Sequence, residues 1–138
     1  MNIFFLDETP EKSAKFLCDK HVPKMLLESA QMLSTAVQKY TDRIEELYKP
    51  AYPNHPMTKW VGFNRDCFRW ALENAMSISQ EYCKRFKKLH KSSKIISTTF
   101  TVSLATNKAQ PIQVESNINI NNNITKNLYI IFFPKYKA

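Results

Sequence analysis

The chain has 138 residues, 43% of them hydrophobic, and its 20 Lys and Arg against 12 Asp and Glu give a formal net charge of +8. That hydrophobic share excludes a disordered polyelectrolyte, and the length suits one domain with a real core. A single glycine, Gly62, excludes glycine-rich phosphate loops, and neither a GxGxxG nor a Walker A sequence is present.

In chain order, residues 1–6 form an apolar segment expected to be extended and buried, and too short for a signal peptide. Thr9-Pro10-Glu11 reads as a helix start: a capping hydroxyl, proline at the first helical position, then an acid. That short helix is expected to reach about Cys18. Asp19 can cap a second helix over about residues 21–41, with Pro23 tolerated in its first turn. His21 and Glu28 stand seven residues apart there, nearly two full turns, so they share one face. Lys24, Gln31, Thr35 and Gln38 continue this polar stripe, while Val22, Leu26, Leu33, Ala36, Val37 and Tyr40 take the opposite side. A stripe this rich in acid–base groups is a candidate site.

Pro50, Pro53 and Pro56 with Asn54 make residues 41–56 a loop. Trp60, Phe63, Cys67, Ala71, Ala75, Ile78, Tyr82, Phe86 and Leu89 then recur at steps of three and four. This pattern predicts one helix, or a pair bent at Gly62, over about residues 57–90. After about residue 92 charge falls and Ser, Thr and Asn rise. Residues 117–124 are a low-complexity run of Asn and Ile expected to be a loop, and the chain ends aromatic and basic, with Tyr129, Phe132, Phe133 and Tyr136. The reading is an all-α single domain of about three main helices, with a short extended N-terminus. A helical core would occupy 1–95, and an irregular segment at 96–138 would pack on it or trail from it.

Lys84, Arg85, Lys87, Lys88, Lys91 and Lys94 fall within eleven residues without an acid. Such a run favours a polyanion, nucleic acid before an acidic membrane surface. The plainer alternative is a solvated helix end, where cations also suit the dipole. Cys18, Cys67 and Cys83 are odd in number, widely spaced and without a CxxC, as in three reduced thiols of a cytoplasmic protein. No apolar run reaches the ~18 residues of a membrane span. His21, His55 and His90 with Glu28 lack HExxH-type spacing, so neither a metal nor another cofactor is expected.

Three stretches together resemble one family. The run LCDKHVPKMLLE at 17–28 resembles the helix of the pyrimidine-dimer DNA glycosylases of the phage endonuclease V type, with a histidine seven residues before the catalytic glutamate. NHPMTKWVG at 54–62 is similar to a His-Pro-x-Thr then Trp-Val-Gly segment of cellular relatives. EYCKRF at 81–86, followed by HKS at 90–92, is similar to the end of the long family helix and the turn after it. The likeness covers about residues 1–92. There are departures: Leu27 and Gln31 stand where arginines flank the family's glutamate, and Ile3 stands where phage members carry a basic residue.

The resemblance implies a DNA-repair base-excision glycosylase with abasic-site lyase activity on pyrimidine dimers. Its nucleophile would be the first residue's α-amine, on Met1 or, after methionine removal, on Asn2; an asparagine at that position hinders the removal. An α-amine titrates near ~8 against ~10.4 for lysine, so a useful fraction is uncharged at neutral pH. Glu28 would stabilise the cationic sugar and move protons, and His21 would contact phosphate or orient the site. The DNA-binding candidates are His21, Lys24, Gln31, Asn54, His55, Lys59, Arg65, Arg69, Arg85 and Lys88. The expected partner is double-stranded DNA, damaged or intact, and the expected state a monomer in the cytoplasm (the host's, for a viral chain).

Plainer roles stand beside these. Lys24 and Glu28 are spaced for an i,i+4 ion pair, His21, and either Asn54 or His55, for a cap, and Arg65 and Arg69 for pairing with Asp66 or Glu73. Trp60 and Trp70 suit the core better than a base-stacking platform. The rival functions are a non-catalytic nucleic-acid-binding protein on the same fold, and a small hydrolase acting on another nucleotide substrate.

Overall fold

The computed structural model describes residues 1–106. Among these the regular structure is helical throughout: α1 (Pro10–Lys15), α2 (His21–Gln38), α3 (Pro56–Val61), α4 (Arg65–Phe86) and α5 (Ser92–Thr106). The all-α reading therefore holds, and α2, α4 and α5 are the three main helices.

Helix α2 lies at the centre, packed against α3, α4 and α5, while α1 lies on α4. This position explains why its buried surface is wider than one stripe. Val22, Met25, Leu26, Ala30, Met32, Leu33, Ala36 and Val37 are all buried, and they meet Phe68, Ala71, Leu72, Ala75 and Ile78 of α4 and Ile96 of α5 in one core. Tyr40, placed on that apolar side by periodicity, lies beyond the helix and is exposed. Each fully buried Leu or Phe contributes about 1.5–3 kcal/mol by leaving water.

The helix boundaries differ from expectation in physical ways. Helix α1 stops at Lys15, and α2 begins without help from Asp19: Lys20 is its N-cap, in helical conformation and with no side-chain cap bond. Of the two readings of 57–90, the structure has the pair, α3 and α4. α3 ends at Gly62, whose φ of −92° is open to any residue. The break is made by Asn64, extended at φ −151° and ψ 176°, whose side chain accepts from Cys67 N and starts α4. His55, not Asn54, caps α3, its Nδ1 accepting from Met57 N at 3.1 Å.

Helix α5 runs through the boundary drawn near residue 95, so 96–106 is helical rather than irregular. Its hydroxyls satisfy themselves: Ser97, Thr98, Thr99 and Thr101 each donate to the carbonyl four residues earlier. The remaining features expected of the C-terminal segment, the Asn/Ile run and the aromatic end, lie outside the described residues. Among the described residues no helix is long and apolar enough to cross a membrane.

Two residues of the polar stripe on α2 hold the 41–55 loop. Thr35 Oγ1 donates to Gln31 O at 2.8 Å and accepts from Ala51 N at 3.0 Å. Gln38 donates to Tyr48 O at 2.8 Å and accepts from Ile44 N at 3.0 Å.

Candidate functional site

The N-terminal segment is pinned rather than simply buried. Ile3 enters the core, while Phe5 and Leu6 are exposed. Ser13 of α1, itself buried, donates to Phe4 O at 2.9 Å and accepts from Leu6 N at 3.1 Å. Trp70 Nε1 donates to Glu8 O at 2.9 Å, and Phe5 packs edge-on against Trp60 and tilted against Trp70, with ring centroids 5.1 and 4.5 Å away. The Phe4 ring rests 5.1 Å from that of His21. These contacts carry the chain start across the first turns of α2.

The result is an ion pair. Met1 N lies 3.8 Å from Glu28 Oε1, with the two side chains only 4% and 18% exposed. The distance is longer than a hydrogen bond. Glu28 Oε2 is buried and has no hydrogen-bond partner. An unsatisfied buried acceptor costs about 1–3 kcal/mol, so this carboxylate is held at a cost to stability. The carboxylate pairs with the terminal amine rather than with Lys24, which is exposed.

Other candidates fall into distinct groups. His21 opens α2 against Phe4 and is partly exposed. Gln31 is partly exposed, with its backbone carbonyl taken by Thr35. Asn2 is exposed and its Oδ1 accepts from Ile3 N. Asn54, His55 and Lys59 cluster at the start of α3, where the cap bond makes Nδ1 of His55 an acceptor. Arg69 pairs with Glu73 at 2.9 Å, and Arg65 Nε lies 4.0 Å from Asp66.

Arg85 is a structural strap. Its Nη1 donates to Leu17 O at 2.6 Å and to Asp19 at 3.2 Å, its Nη2 to Lys15 O at 3.0 Å, and its Nε to Glu81 at 3.0 Å. The guanidinium thus caps the chain end of α1 from α4. The neighbouring Lys84, Lys87, Lys88, Lys91 and Lys94 are all exposed, and Lys87 ends α4 in the left-handed region at φ 58°.

Among the described residues no group of three or more His, Cys, Asp and Glu is placed to hold a metal ion. His90 accepts from Ser92 N through Nδ1, and burial, then Lys91 and Lys88, push it below its ordinary value. Burial, then Asp66, raises the Cys67 thiol. Sequence reasoning missed Ser13 and the aromatic pinning by Phe5, Trp60 and Trp70, since nothing local in the sequence says that α1 faces the chain start.

These elements define a class: an all-α protein that sets its terminal amine against a single helix-borne acid. The family model of the pyrimidine dimer DNA glycosylases matches residues 1–93. The chain belongs to that family of DNA-repair enzymes, whose substrate is DNA. No curated protein and no solved structure matches it.

Proposed function

We propose that this protein is a base-excision glycosylase with abasic-site lyase activity on pyrimidine dimers in double-stranded DNA, acting as a monomer. The α-amine of residue 1 is the nucleophile and Glu28 its acidic partner. The single observation behind this reading is the 3.8 Å separation of Met1 N and Glu28 Oε1 in a nearly buried setting.

The neutral amine adds to C1′ of the damaged nucleotide as the N-glycosidic bond breaks, and the departing pyrimidine keeps the electron pair and takes a proton. The sugar ring opens, its O4′ gains a proton, and the C1′–N pair becomes a protonated imine. Loss of a C2′ proton expels the 3′-phosphate with its bonding electrons. Water then releases the amine. Glu28 stabilises the cationic sugar and shuttles these protons, and its unpartnered Oε2 is the atom free to do so. Exposed Lys24, Lys59 and Lys88 supply phosphate contacts. Arg85, already engaged by four internal partners, is not among them.

Borohydride reduction on abasic-site duplex tests the reading. A covalent protein–DNA adduct mapped to the first residue supports it, and binding without an adduct overturns the amine mechanism in favour of the rivals that form no imine.

A further inference from the structure

Both tryptophans of the chain meet in one patch beside the chain start. Trp60 of α3 and Trp70 of α4 lie edge to face with ring centroids 6.2 Å apart, and Phe5 sits against both. The tryptophans are half-buried, while Phe5 and the next residue, Leu6, are 52% and 46% exposed. Single apolar side chains on a surface need no explanation, but aromatic rings in mutual contact and open to water mark a surface that something covers.

The charges beside this patch select what covers it. Arg69 is taken up by Glu73 and Arg65 by Asp66, on the turns of α4 to either side of Trp70. That leaves Lys59 against two acids, Asp7 and Glu8. Asp7 accepts from Thr9 N, Glu8 is exposed, and neither has an ion pair among the described residues. On a chain of net charge +8 this patch is therefore slightly acidic. A polyanion is disfavoured there, and an apolar segment that carries cations is favoured. The other exposed aromatic side chains stand among lysines instead: Phe63 faces a concavity shared with Lys39 and Lys59, and Phe16 and Phe86 follow or precede Lys15 and Lys87.

The chain itself contains a segment of the favoured kind. Residues 128–133 are the longest unbroken apolar run of the sequence, and Lys135 and Lys137 follow it directly after Pro134. A six-residue run of such β-propensity left in water is an aggregation hazard, so it needs a cover. Reach is no obstacle, since the chain between Thr106 and Leu128 can span up to ~70 Å, against a radius of gyration of ~13 Å for a domain of this size. We infer that residues 128–137 dock on the Phe5–Trp60–Trp70 patch, with the apolar run on the rings and Lys135 and Lys137 at Asp7 and Glu8. The inference does not depend on the glycosylase reading.

The test uses the full chain. Because its two tryptophans are both in the patch, intrinsic emission reads the patch without a label. Phe132→Ser with Phe133→Ser should move the emission to longer wavelength and raise its quenching by acrylamide, with the helical circular dichroism unchanged. Lys135→Glu with Lys137→Glu should do the same. So should Glu8→Lys with Asp7→Asn, where the asparagine keeps an acceptor for Thr9 N. Combining the two sets of charge changes should bring emission and quenching back toward the parent.

Emission that ignores the variants at 132–137, or charge changes whose effects add instead of cancelling, overturns the inference. So does quenching that depends on protein concentration, which would make a second copy the occupant. Protection of the tryptophans that arises only when duplex DNA is added would give the patch to the substrate and overturn it equally. The emission measurement on the free protein needs no DNA, so its failure is distinct from a missing borohydride adduct.

Discussion

Met1 N stands 3.8 Å from Glu28 Oε1, while Glu28 Oε2 is buried with no partner at all. One carboxylate oxygen thus faces the amine and the other is left without a hydrogen bond. Glu28→Gln keeps the shape and removes the charge. Single-turnover nicking of abasic duplex should fall by about 10²- to 10⁴-fold, the usual worth of a positioned acid–base group. Binding to the same duplex in a gel-shift titration should change little. Nicking that persists at the parent rate would make the acid a bystander.

The amine has little positional slack. One residue added ahead of Met1 displaces it by up to ~3.5 Å, and a displacement of about 1 Å in such geometry can cost ~100-fold. Borohydride capture should fall at least that far while the melting temperature barely moves, since Met1 only packs against the edge of the core. Intact mass of the parent protein shows whether Met1 or Asn2 carries the amine. Were Asn2 to carry it, the nucleophile would start from an exposed residue that bonds its own neighbour at Ile3 N.

Ser13 is a positioning residue for that amine. Its hydroxyl makes both polar contacts that fix residues 4–6, yet it is far from Glu28 in sequence. Ser13→Ala should cost about 1–3 kcal/mol by leaving Phe4 O and Leu6 N unpaired. Beyond that stability loss, the rate of capture should fall more than the affinity for abasic duplex. Ser13→Thr, which keeps the hydroxyl, should restore part of the rate. A purely structural role would move the melting temperature and leave the capture rate of the folded fraction unchanged.

The sequence shows some of this site and hides the rest for identifiable reasons. The shared face of His21 and Glu28 follows from helix geometry alone, and prolines at 50, 53 and 56 mark the loop before α3. Thr35 and Gln38, on the same stripe, turn out to anchor that loop, because a polar side chain on a central helix is as useful to a returning backbone as to a substrate. Arg85 looked like one more cation of a basic run; only the packing of α1 on α4 brings the carbonyls of Lys15 and Leu17 to it. Helix α5 was hidden by its own Ser and Thr, which read as irregular until their hydroxyls are seen bonding back along the helix. The exposure of Phe5 has the same origin: the pairing with Trp60 and Trp70 is tertiary and leaves no local pattern.

Arg85 and Lys88 should separate cleanly in solution. Arg85→Ala removes four bonds from a guanidinium whose side chain is 20% exposed, and should destabilise the fold by about 2–4 kcal/mol. Arg85→Lys should recover less than half, since an ammonium cannot fork to two carbonyls and a carboxylate. Urea unfolding measures both. The salt slope of DNA binding should be unchanged in folded Arg85→Ala, whereas Lys88→Gln should lower it by about 0.9, one phosphate contact. A reduced slope in the arginine variant would return it to the DNA surface.

His90 makes stability depend on pH. Burial is the main reason its folded value lies below 6.5, with Lys91 and Lys88 adding repulsion, and the ring packs edge-on against Tyr82 at 4.9 Å. A base whose value is depressed by folding binds fewer protons folded than unfolded. Its contribution is therefore complete above about 6.5 and is lost as pH falls through the folded value. Protonation also removes the Nδ1 acceptor that holds Ser92 N at the start of α5. His90→Asn can still accept from a backbone N–H two residues on but does not titrate. Melting curves from pH 8 to pH 5 should show the parent losing stability faster than His90→Asn below about pH 6.5, and parallel curves would remove His90 as the source.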